Sequence, residues 1–216
     1  RFTAWKVPCW LLDTHQLPME IRLFNAEISA GSLMLPESRR ISRLLISQPT
    51  PQQWDEALTA QNLLQKSPAT AKRQARLIRN RLETLDVEGW NLIAEGDSEV
   101  ASQLLLAASI RHSQLLGEFL RTVYRADLQR LETHLTKNQW DAFLADCEQH
   151  DPAVAQWAAS TREKLYQVTV RILAEARYLS STKQLKLTPP MLHPTVRHYL
   201  QKFGATDTLK AMEFHQ

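Results

Sequence analysis

The sequence predicts an all-α protein of many short helices, with helix-turn-helix-like units and at most one small β-hairpin, a wing, near residues 180–192. Three observations predict this fold class. Leu, Ala, Gln, Glu and Arg, which favour helix, are plentiful, whereas only 5 of the 216 residues are glycine. Apolar residues recur at helical spacing. Ser, Thr or Asp precedes a proline at several points, which is typical of a capped helix start.

Two helices are predicted in the first part of the chain, one beginning near Pro36 and one after Thr50. Pro36 lies where a first helical residue is expected, and an apolar stripe follows it. Thr50 is predicted to cap the second helix, with Gln53 completing a capping box. This helix is predicted to end at about Gln61.

A third helix is predicted from Pro68, after Ser67 as its cap, to about Leu85. Its apolar stripe has regular helical spacing and consists of Ala71, Ala75, Ile78, Leu82 and Leu85. At about 100° per residue, the opposite face carries Arg73, Arg76 and Asn80, with Lys72 and Arg79 beside them.

The remaining elements follow from cap residues and prolines. Helices are predicted over residues 97–112, 115–123, 136–144, 152–157, 160–180 and 194–204. Either Thr136 or Asn138 is expected to begin the third of these, and Ser160–Glu163 is predicted to form a capping box. Gln184–Thr188 alternates between apolar and polar residues, which is typical of a short strand.

Charge is segregated along the chain although the net charge is only +3. Residues 57–82 contain six Lys or Arg and no acid, residues 83–110 contain six acids and no Lys or Arg, and residues 176–206 contain five Lys or Arg and no acid. Such patches create a local field, so an anionic partner is expected, with double-stranded DNA as the first candidate. The alternative is a solvated helix face that is rich in arginine.

Residues 54–85 follow the helix, short turn, basic helix order of a helix-turn-helix motif, whose second helix enters the major groove. Arg binds guanine and Asn binds adenine, each through two hydrogen bonds, while Lys72 and Arg79 are expected to contact phosphates. The predicted DNA contacts of this unit are Ser67, Thr70, Lys72, Arg73, Arg76, Arg79 and Asn80. The alternative is an ordinary helical bundle, where such helix pairs are common.

A second unit, Ser160–Pro190, resembles a winged helix-turn-helix motif. Its predicted DNA contacts are Thr161, Arg162, Lys164, Gln167 and Arg171 on the helix, with Lys183 and Lys186 on the wing. The alternative is a helix followed by a surface loop, because Glu163 and Glu175 dilute the positive charge.

No enzyme, cofactor or metal site is predicted. The sequence has no HExxH motif, no Cys/His cluster with ligand spacing, no glycine-rich phosphate loop and no GxSxG motif. No apolar run approaches the roughly 20 residues that cross a bilayer, so a membrane location is not expected. The two cysteines form no CxxC pair, which favours a reducing compartment, and a cytoplasmic location is expected.

Three regions are predicted along the chain. Residues 1–18 are interpreted as an extension, either upstream of a natural start at Met19 or as a short arm that packs on the body. Residues 19–95 are predicted to form an N-terminal helix-turn-helix-like module, and residues 96–216 a C-terminal winged-helix-like module. The boundary lies at the two glycines Gly89 and Gly96.

Ile28–Leu45 reads ISAGSLMLPESRRISRLL and resembles the opening motif of the BrxA family, a component of bacterial BREX phage-defence systems. Leu115–Phe119 (LLGEF) and Trp157–Ala176 (WAASTREKLYQVTVRILAEA) resemble later blocks of the same family in the same order. The resemblance extends from Phe24 to about Tyr199. It implies an all-helical, DNA-associated accessory protein without catalytic activity, with other BREX proteins as partners.

Two functions are therefore considered. The first is a double-stranded DNA-binding accessory protein that uses the basic helix. The second is a protein-interaction scaffold within the defence complex. A helical RNA-binding protein is a further alternative, because a basic helical bundle does not by itself distinguish RNA from DNA. The DNA-contact residues come from helical geometry and not from the family resemblance.

Overall fold

The computed structural model describes residues 23–214, which are mostly helical. The α-helices of this part are α1 (Leu35–Ile46), α2 (Pro51–Leu58), α3 (Pro68–Leu82), α4 (Val87–Glu95), α5 (Ser98–His112), α6 (Gln114–Phe119), α7 (Arg125–Gln129), α8 (Lys137–His150), α9 (Ala159–Glu175), α10 (Pro194–Lys202) and α11 (Thr206–Met212). Short 3-10 turns precede α1 and α9, at Glu27–Ala30 and Pro152–Gln156, and a π-helical turn at Leu120–Tyr124 joins α6 to α7. The predicted all-α fold class is confirmed.

Helix α5 lies at the centre of the fold and contacts α1, α3, α4, α6, α10 and α11. Its residues from Val100 to Ile110 are buried on almost every side. A helix that is apolar all round needs neighbours all round, so α5 explains why the other helices gather around it. The hydrophobic core forms one cluster that extends from Ile28 to Met212.

Local cap signals predicted several helix starts correctly. The capping box of α2 is confirmed, since Thr50 N donates to Gln53 Oε1 (2.8 Å) and Gln53 N donates to Thr50 Oγ1 (3.2 Å). Thr136 caps α8 in the same way, so it and not Asn138 begins that helix. Gly204 ends α10 with a φ of +73°, a conformation that glycine adopts without strain.

The capping box predicted at Ser160–Glu163 is wrong. Helix α9 begins earlier, with Ala158 at the cap position, and the backbone N–H groups of Thr161 and Arg162 both donate to Ala158 O. Ser160 therefore lies inside the first turn. Trp157 and Ala158 are extended between the preceding 3-10 turn and α9, so the helix begins at Ala159, directly before Ser160.

Helix α4 was not predicted, because Gly89 and Gly96 suggested a break in the chain. Gly89 lies inside this helix and is buried. A Cβ atom there would lie 2.5 Å from Tyr199 Oη, so glycine allows α10 to approach α4 closely. Helix α4 packs on α1 and on α5.

The predicted wing is reduced to a turn whose two arms pair through one antiparallel bridge, Leu179 with Leu187, in keeping with at most one small β-hairpin. Within residues 23–214, strand pairing is limited to two isolated antiparallel bridges, His134 with Lys186 and Leu179 with Leu187. Leu135 N donates to Leu185 O and Leu187 N donates to Thr133 O, both at 2.9 Å, so the turn after α9 attaches to the segment before α8.

The division into modules 19–95 and 96–216 stays a prediction. Helices α3 and α4 on one side of this boundary contact α5 on the other, and both regions contribute to the hydrophobic cluster. The extension predicted at residues 1–18 lies outside the described residues.

Candidate nucleic-acid interface

Helices α2 and α3 contact each other, but the short turn predicted between them is wrong. The connection covers residues 59–67, whereas a helix-turn-helix motif uses about three or four residues. It is compact, because Leu63 N donates to Ala57 O at 2.9 Å and Leu64 is buried against the core. Asn62 and Gln65 both adopt positive φ angles, of 45° and 55°, within this connection.

Helix α3 places its predicted apolar stripe inward and its basic residues outward. Ala71, Ala75, Ile78 and Leu82 are buried, whereas Lys72, Arg73, Arg76 and Arg79 are exposed and Asn80 is half-buried. We call Lys72, Arg73, Arg76, Arg79 and Asn80 the α3 face. Its helical geometry agrees with the sequence analysis, although α3 ends at Leu82 and not at Leu85.

The cations of the α3 face fall into two classes. Arg73 and Arg76 have no carboxylate within ion-pair distance anywhere in residues 23–214. Lys72 Nζ, in contrast, lies 2.8 Å from Asp55 Oδ1 on α2, and Arg79 Nε lies 2.6 Å from Glu83 Oε1. The helical geometry predicted phosphate contacts for Lys72 and Arg79, but it did not reveal the carboxylates that pair with them.

A groove runs between α2 and α3 beside this face. Its volume is about 460 Å³, and it is lined by Trp54, Asp55, Leu58, Lys72, Arg76, Arg79, Asn80 and Glu83. The Arg79 guanidinium lies over the Trp54 ring, 4.9 Å from its centroid. This cation–π contact holds Arg79 along the surface of α2.

The start of α3 differs from its prediction in one respect. Ser67 occupies the cap position and Pro68 follows it, but the Ser67 side chain caps no backbone N–H group. Its Oγ atom lies 3.0 Å from Thr70 Oγ1 and hydrogen-bonds to it. The first turn therefore keeps the free N–H donors that are common to helix starts, and these suit a phosphate group.

Arg81, the last cation of the basic segment, is buried. It is only 3% exposed, and its guanidinium donates to Ser32 O at 2.6 Å and to Gly31 O at 2.8 Å. Glu175 at the end of α9 binds the same segment, accepting from Ser32 Oγ and Leu33 N at 2.8 Å each. Burial lowers the pKa of Arg81 to about 10, so it stays protonated at pH 7.

We call Arg81, Glu175 and residues 31–33 the internal clamp. It joins the C-terminal ends of α3 and α9 through the segment that resembles the BrxA opening motif. Arg81 was counted in the charge of the basic segment but was not among the predicted DNA contacts. A usable signal was present, since Arg81 lies four residues after Leu77, which is also buried at the edge of the apolar stripe.

The predicted DNA contacts on α9 and the following turn differ in their exposure to solvent. Lys164, Gln167 and Arg171 are exposed along one side of α9, while Thr161 is half-buried. Gln167 Nε2 donates to Glu163 Oε1 at 3.1 Å. Lys183 and Lys186 are exposed on the turn after α9, and neither makes an ion pair in the described part of the chain.

Arg162 is held by an ion pair and by hydrogen bonds to backbone carbonyl groups. Its guanidinium lies 2.5 Å from Glu148 Oε1 on α8 and donates to Val154 O and Trp157 O at 3.1 and 3.2 Å. A DNA contact by Arg162 would require these contacts to break. We therefore assign Arg162 to the packing of α9 on α8 and do not include it in the interface proposed below.

A second groove, of about 580 Å³, lies between the α6–α7 region and α8. Phe24, Val123 and Phe143 contribute apolar surface to it, and Asp127 lies at its wall. Asp127 accepts a hydrogen bond from Gln139 Nε2 at 2.7 Å, but its Oδ2 atom has no partner. Burial raises the pKa of Asp127. No pattern in the sequence indicated this groove.

Two further findings bear on function. Residues 23–214 contain no group of three or more His, Cys, Asp or Glu that is arranged to hold a metal ion. Among the helices described, none is both long and apolar enough to cross a membrane.

Comparison with known proteins supports one family. A sequence model of the family BrxA matches residues 22–204. The BREX protein BrxA of Paramagnetospirillum magneticum (strain ATCC 700264 / AMB-1) is 41% identical over 180 residues, which cover 83% of this chain and 90% of that protein. The BREX protein BrxA of Escherichia coli O9:H4 (strain HS) is 36% identical over 188 residues, which cover 87% of this chain and 88% of that protein.

A solved structure agrees with this assignment. The crystal structure of an uncharacterized protein from Magnetospirillum magneticum superposes with a TM-score of 0.83 at 36% identity, and the match covers 89% of this chain and all of that one. The chain belongs to the BrxA family of BREX phage-defence proteins.

Proposed function

We propose that this protein is a non-enzymatic, double-stranded DNA-binding accessory protein of a BREX system, and that the α3 face makes the main contact. The observation that carries the proposal is the pair Arg73 and Arg76. These two guanidinium groups lie one helical turn apart on an exposed face, and no carboxylate in residues 23–214 pairs with them. Exposed arginines without partners are the groups that bind DNA phosphates and guanine edges.

The other residues of the face have supporting roles. Asn80 has an amide that suits adenine, and it lies in the groove beside Arg76. Lys72 and Arg79 are placed for phosphate contacts, and Ser67 and Thr70 lie at the helix start, where N–H groups favour an anion. The longer connection before α3 means that we do not assume the docking geometry of a standard helix-turn-helix motif.

Helix α9 and the following turn provide a second, weaker contact. Thr161, Lys164, Gln167 and Arg171 lie on or beside one side of α9, and Lys183 and Lys186 lie on the turn. The internal clamp holds the C-terminal ends of α3 and α9 on the same short segment. In this proposal, residues 19–95 carry the main contact and residues 96–216 the second one. The protein acts in the cytoplasm and needs no cofactor.

The test is fluorescence anisotropy of the purified protein with a short random-sequence duplex, titrated across salt. Changing both Arg73 and Arg76 to Glu should weaken binding about 100-fold, since each base or phosphate contact contributes about 1–3 kcal/mol. Arg130→Glu with Lys210→Glu is the matched control, because it makes the same charge change at two exposed positions outside the proposed interface. Equal affinity of wild type and the Arg73/Arg76 variant would refute the proposal.

A second function, a protein-interaction scaffold within the defence complex, is favoured by the apolar groove beside α8. It predicts that wild type binds the duplex no more tightly than about 10⁻⁴ M at physiological salt, the weak end of non-specific association. It also predicts a stable complex with another BREX protein. An RNA duplex of equal length in the same titration distinguishes the third alternative, since an RNA-binding protein would prefer it over DNA.

A further inference from the structure

We infer that Asp55 and Glu83 limit how strongly this protein holds DNA, because they compete with phosphate for Lys72 and Arg79 on the α3 face. The inference rests on the proposed function and deepens it. It assigns two acidic residues a role in setting affinity and specificity. It also separates the cations that are always available to phosphate, Arg73 and Arg76, from those that must first leave a carboxylate, Lys72 and Arg79.

The two acids lie within the proposed interface and not at its edge. Asp55 comes from α2 and reaches across the groove to Lys72 Nζ at 2.8 Å. Glu83 follows the last residue of α3 and binds Arg79 Nε at 2.6 Å. Both acids line the same groove as Arg76 and Asn80, so DNA that contacts Arg76 also comes close to two carboxylates.

Both ion pairs are open to solvent. The side chains are 55% and 60% exposed in the Lys72–Asp55 pair, and 46% and 45% exposed in the Arg79–Glu83 pair. Exposed pairs of this kind contribute little to stability and open easily. A DNA phosphate can therefore take Lys72 or Arg79 from its carboxylate, but the carboxylate stays nearby and repels the phosphate.

Arg79 has a further contact that makes the inference testable. Its guanidinium lies over the Trp54 ring at 4.9 Å, and this contact does not involve Glu83. Removing the charge of Glu83 therefore leaves Arg79 held on the α2 surface, and its positive charge becomes available to phosphate. Arg73 and Arg76 need no such release, because no acid in the described residues neutralises them.

A consequence follows for specificity. Phosphate contacts carry no sequence information, and they supply most of the affinity for random DNA. Two neutralised cations lower that affinity, while the hydrogen bonds that Arg76 and Asn80 make with base edges are unaffected. The acids therefore raise the ratio of specific to non-specific binding.

The experiment measures duplex affinity of Asp55→Asn combined with Glu83→Gln across salt concentrations. Both substitutions keep the side-chain shape and remove the charge. We expect about tenfold tighter binding at low salt, and a log K against log[salt] slope that is steeper by about two because two more counterions are released.

The matched control is Glu88→Gln with Glu95→Gln. These glutamates also form exposed ion pairs, with Lys202 at 2.6 Å and with Arg43 at 2.8 Å, and neither belongs to the proposed interface. We expect binding within about twofold of wild type, since neither glutamate pairs with a cation of the α3 face. An equal gain in both variants would show a net-charge effect only and would overturn the inference, as would an unchanged Asp55/Glu83 variant.

A double-mutant cycle tests the Lys72 pair directly. Lys72→Met should weaken binding less than about twofold in wild type, where Asp55 neutralises the lysine, and about fivefold in the Asp55→Asn background. An equal loss in both backgrounds would overturn the inference. Failure of wild type to bind the duplex at all would instead refute the proposed function, so the two failures are distinguishable. Thermal unfolding of each variant confirms that the fold is retained.

Discussion

Helices α3 and α9 both present basic residues on one side of an amphipathic helix, yet their cations are used differently. On α3, Arg73 and Arg76 are exposed and have no acidic partner in residues 23–214. On α9, Arg162 is bound by Glu148 and by backbone carbonyl groups, and Glu163 lies between the exposed residues. The number of basic residues in a helix therefore does not measure the charge that it offers to a ligand.

The same contrast exists within α3 itself. Arg76 extends into solvent, whereas Arg81, little more than one turn later, is buried in the internal clamp. A helix turns by about 100° per residue, so a short shift in sequence moves a side chain from solvent into the core. Each cation has to be assigned by its own surroundings.

The largest expected effect concerns the clamp. Arg81→Ala should lower the free energy of unfolding by about 3 kcal/mol, because it removes a buried side chain and leaves Ser32 O and Gly31 O without their charged donor. Urea unfolding measures this loss. Arg76→Ala is the matched variant and should stay within about 0.5 kcal/mol of wild type, as expected for an exposed residue. Similar losses in both variants would contradict the division between the two arginines.

Arg162→Ala should produce the next largest loss, about 1–2 kcal/mol of unfolding free energy, because the contacts of α9 with α8 and the preceding turn are removed. Duplex affinity should remain within about twofold of wild type, since Arg162 lies outside the proposed interface. Urea unfolding and anisotropy check the two parts. A large loss of duplex affinity with unchanged stability would instead show that Arg162 contacts DNA.

Lys164→Glu with Arg171→Glu tests whether α9 contributes to binding. We expect about a tenfold loss of duplex affinity, which corresponds to about 1.4 kcal/mol and is smaller than the loss from the α3 reversal. The residues have no ion pairs in the described structure, so folding should not change. A loss as large as that of the Arg73/Arg76 variant would mean that α9 contributes as much to duplex binding as α3 does, contrary to the proposal.

Asn80→Ala should change sequence preference more than overall affinity. An amide that binds adenine contributes to discrimination between bases, at about 1–3 kcal/mol when both hydrogen bonds form. Selection of preferred duplexes from a random pool, repeated with the variant, measures the change. Identical preferences for variant and wild type would show that Asn80 reads no base.

The smallest expected effect is a pH dependence at His112, next to the clamp. Burial, and then the charge of Arg81, lower the pKa of His112 from its usual 6.5, so its contact with Glu27 Oε2 at 3.1 Å is a hydrogen bond from a neutral ring at pH 7. The unfolded chain binds a proton more readily, so stability is complete above pH 6.5 and falls as the pH drops through the lower folded-state value.

His112→Gln removes this titration. Urea unfolding of the variant between pH 7.5 and 5 should therefore show a weaker decline than that of wild type. Equal declines would mean that His112 does not titrate differently in the folded and unfolded states.

Sequence alone determined the features that depend on residues within about four positions of one another. Thr50 with Gln53, Asp97 and Thr136 begin their helices as predicted, and the spacing of Ala71, Ala75 and Ile78 places the α3 face outward. Caps and helical stripes are local, so a sequence contains all the information that they need. The family resemblance was likewise carried by short blocks of sequence, and the comparisons confirmed it.

Only the tertiary structure decided which charges are available and which glycines break a helix. Lys72 forms an ion pair with Asp55, and Arg162 forms one with Glu148. Arg81 donates a hydrogen bond to Ser32 O, and Gly89 packs closely against Tyr199. Each of these contacts joins different elements of the fold. Such partners lie far apart in the chain, and an ion pair or a close contact depends on distances of a few ångströms. The helical wheel locates a side chain on its own helix but does not locate the carboxylate that another helix brings to it.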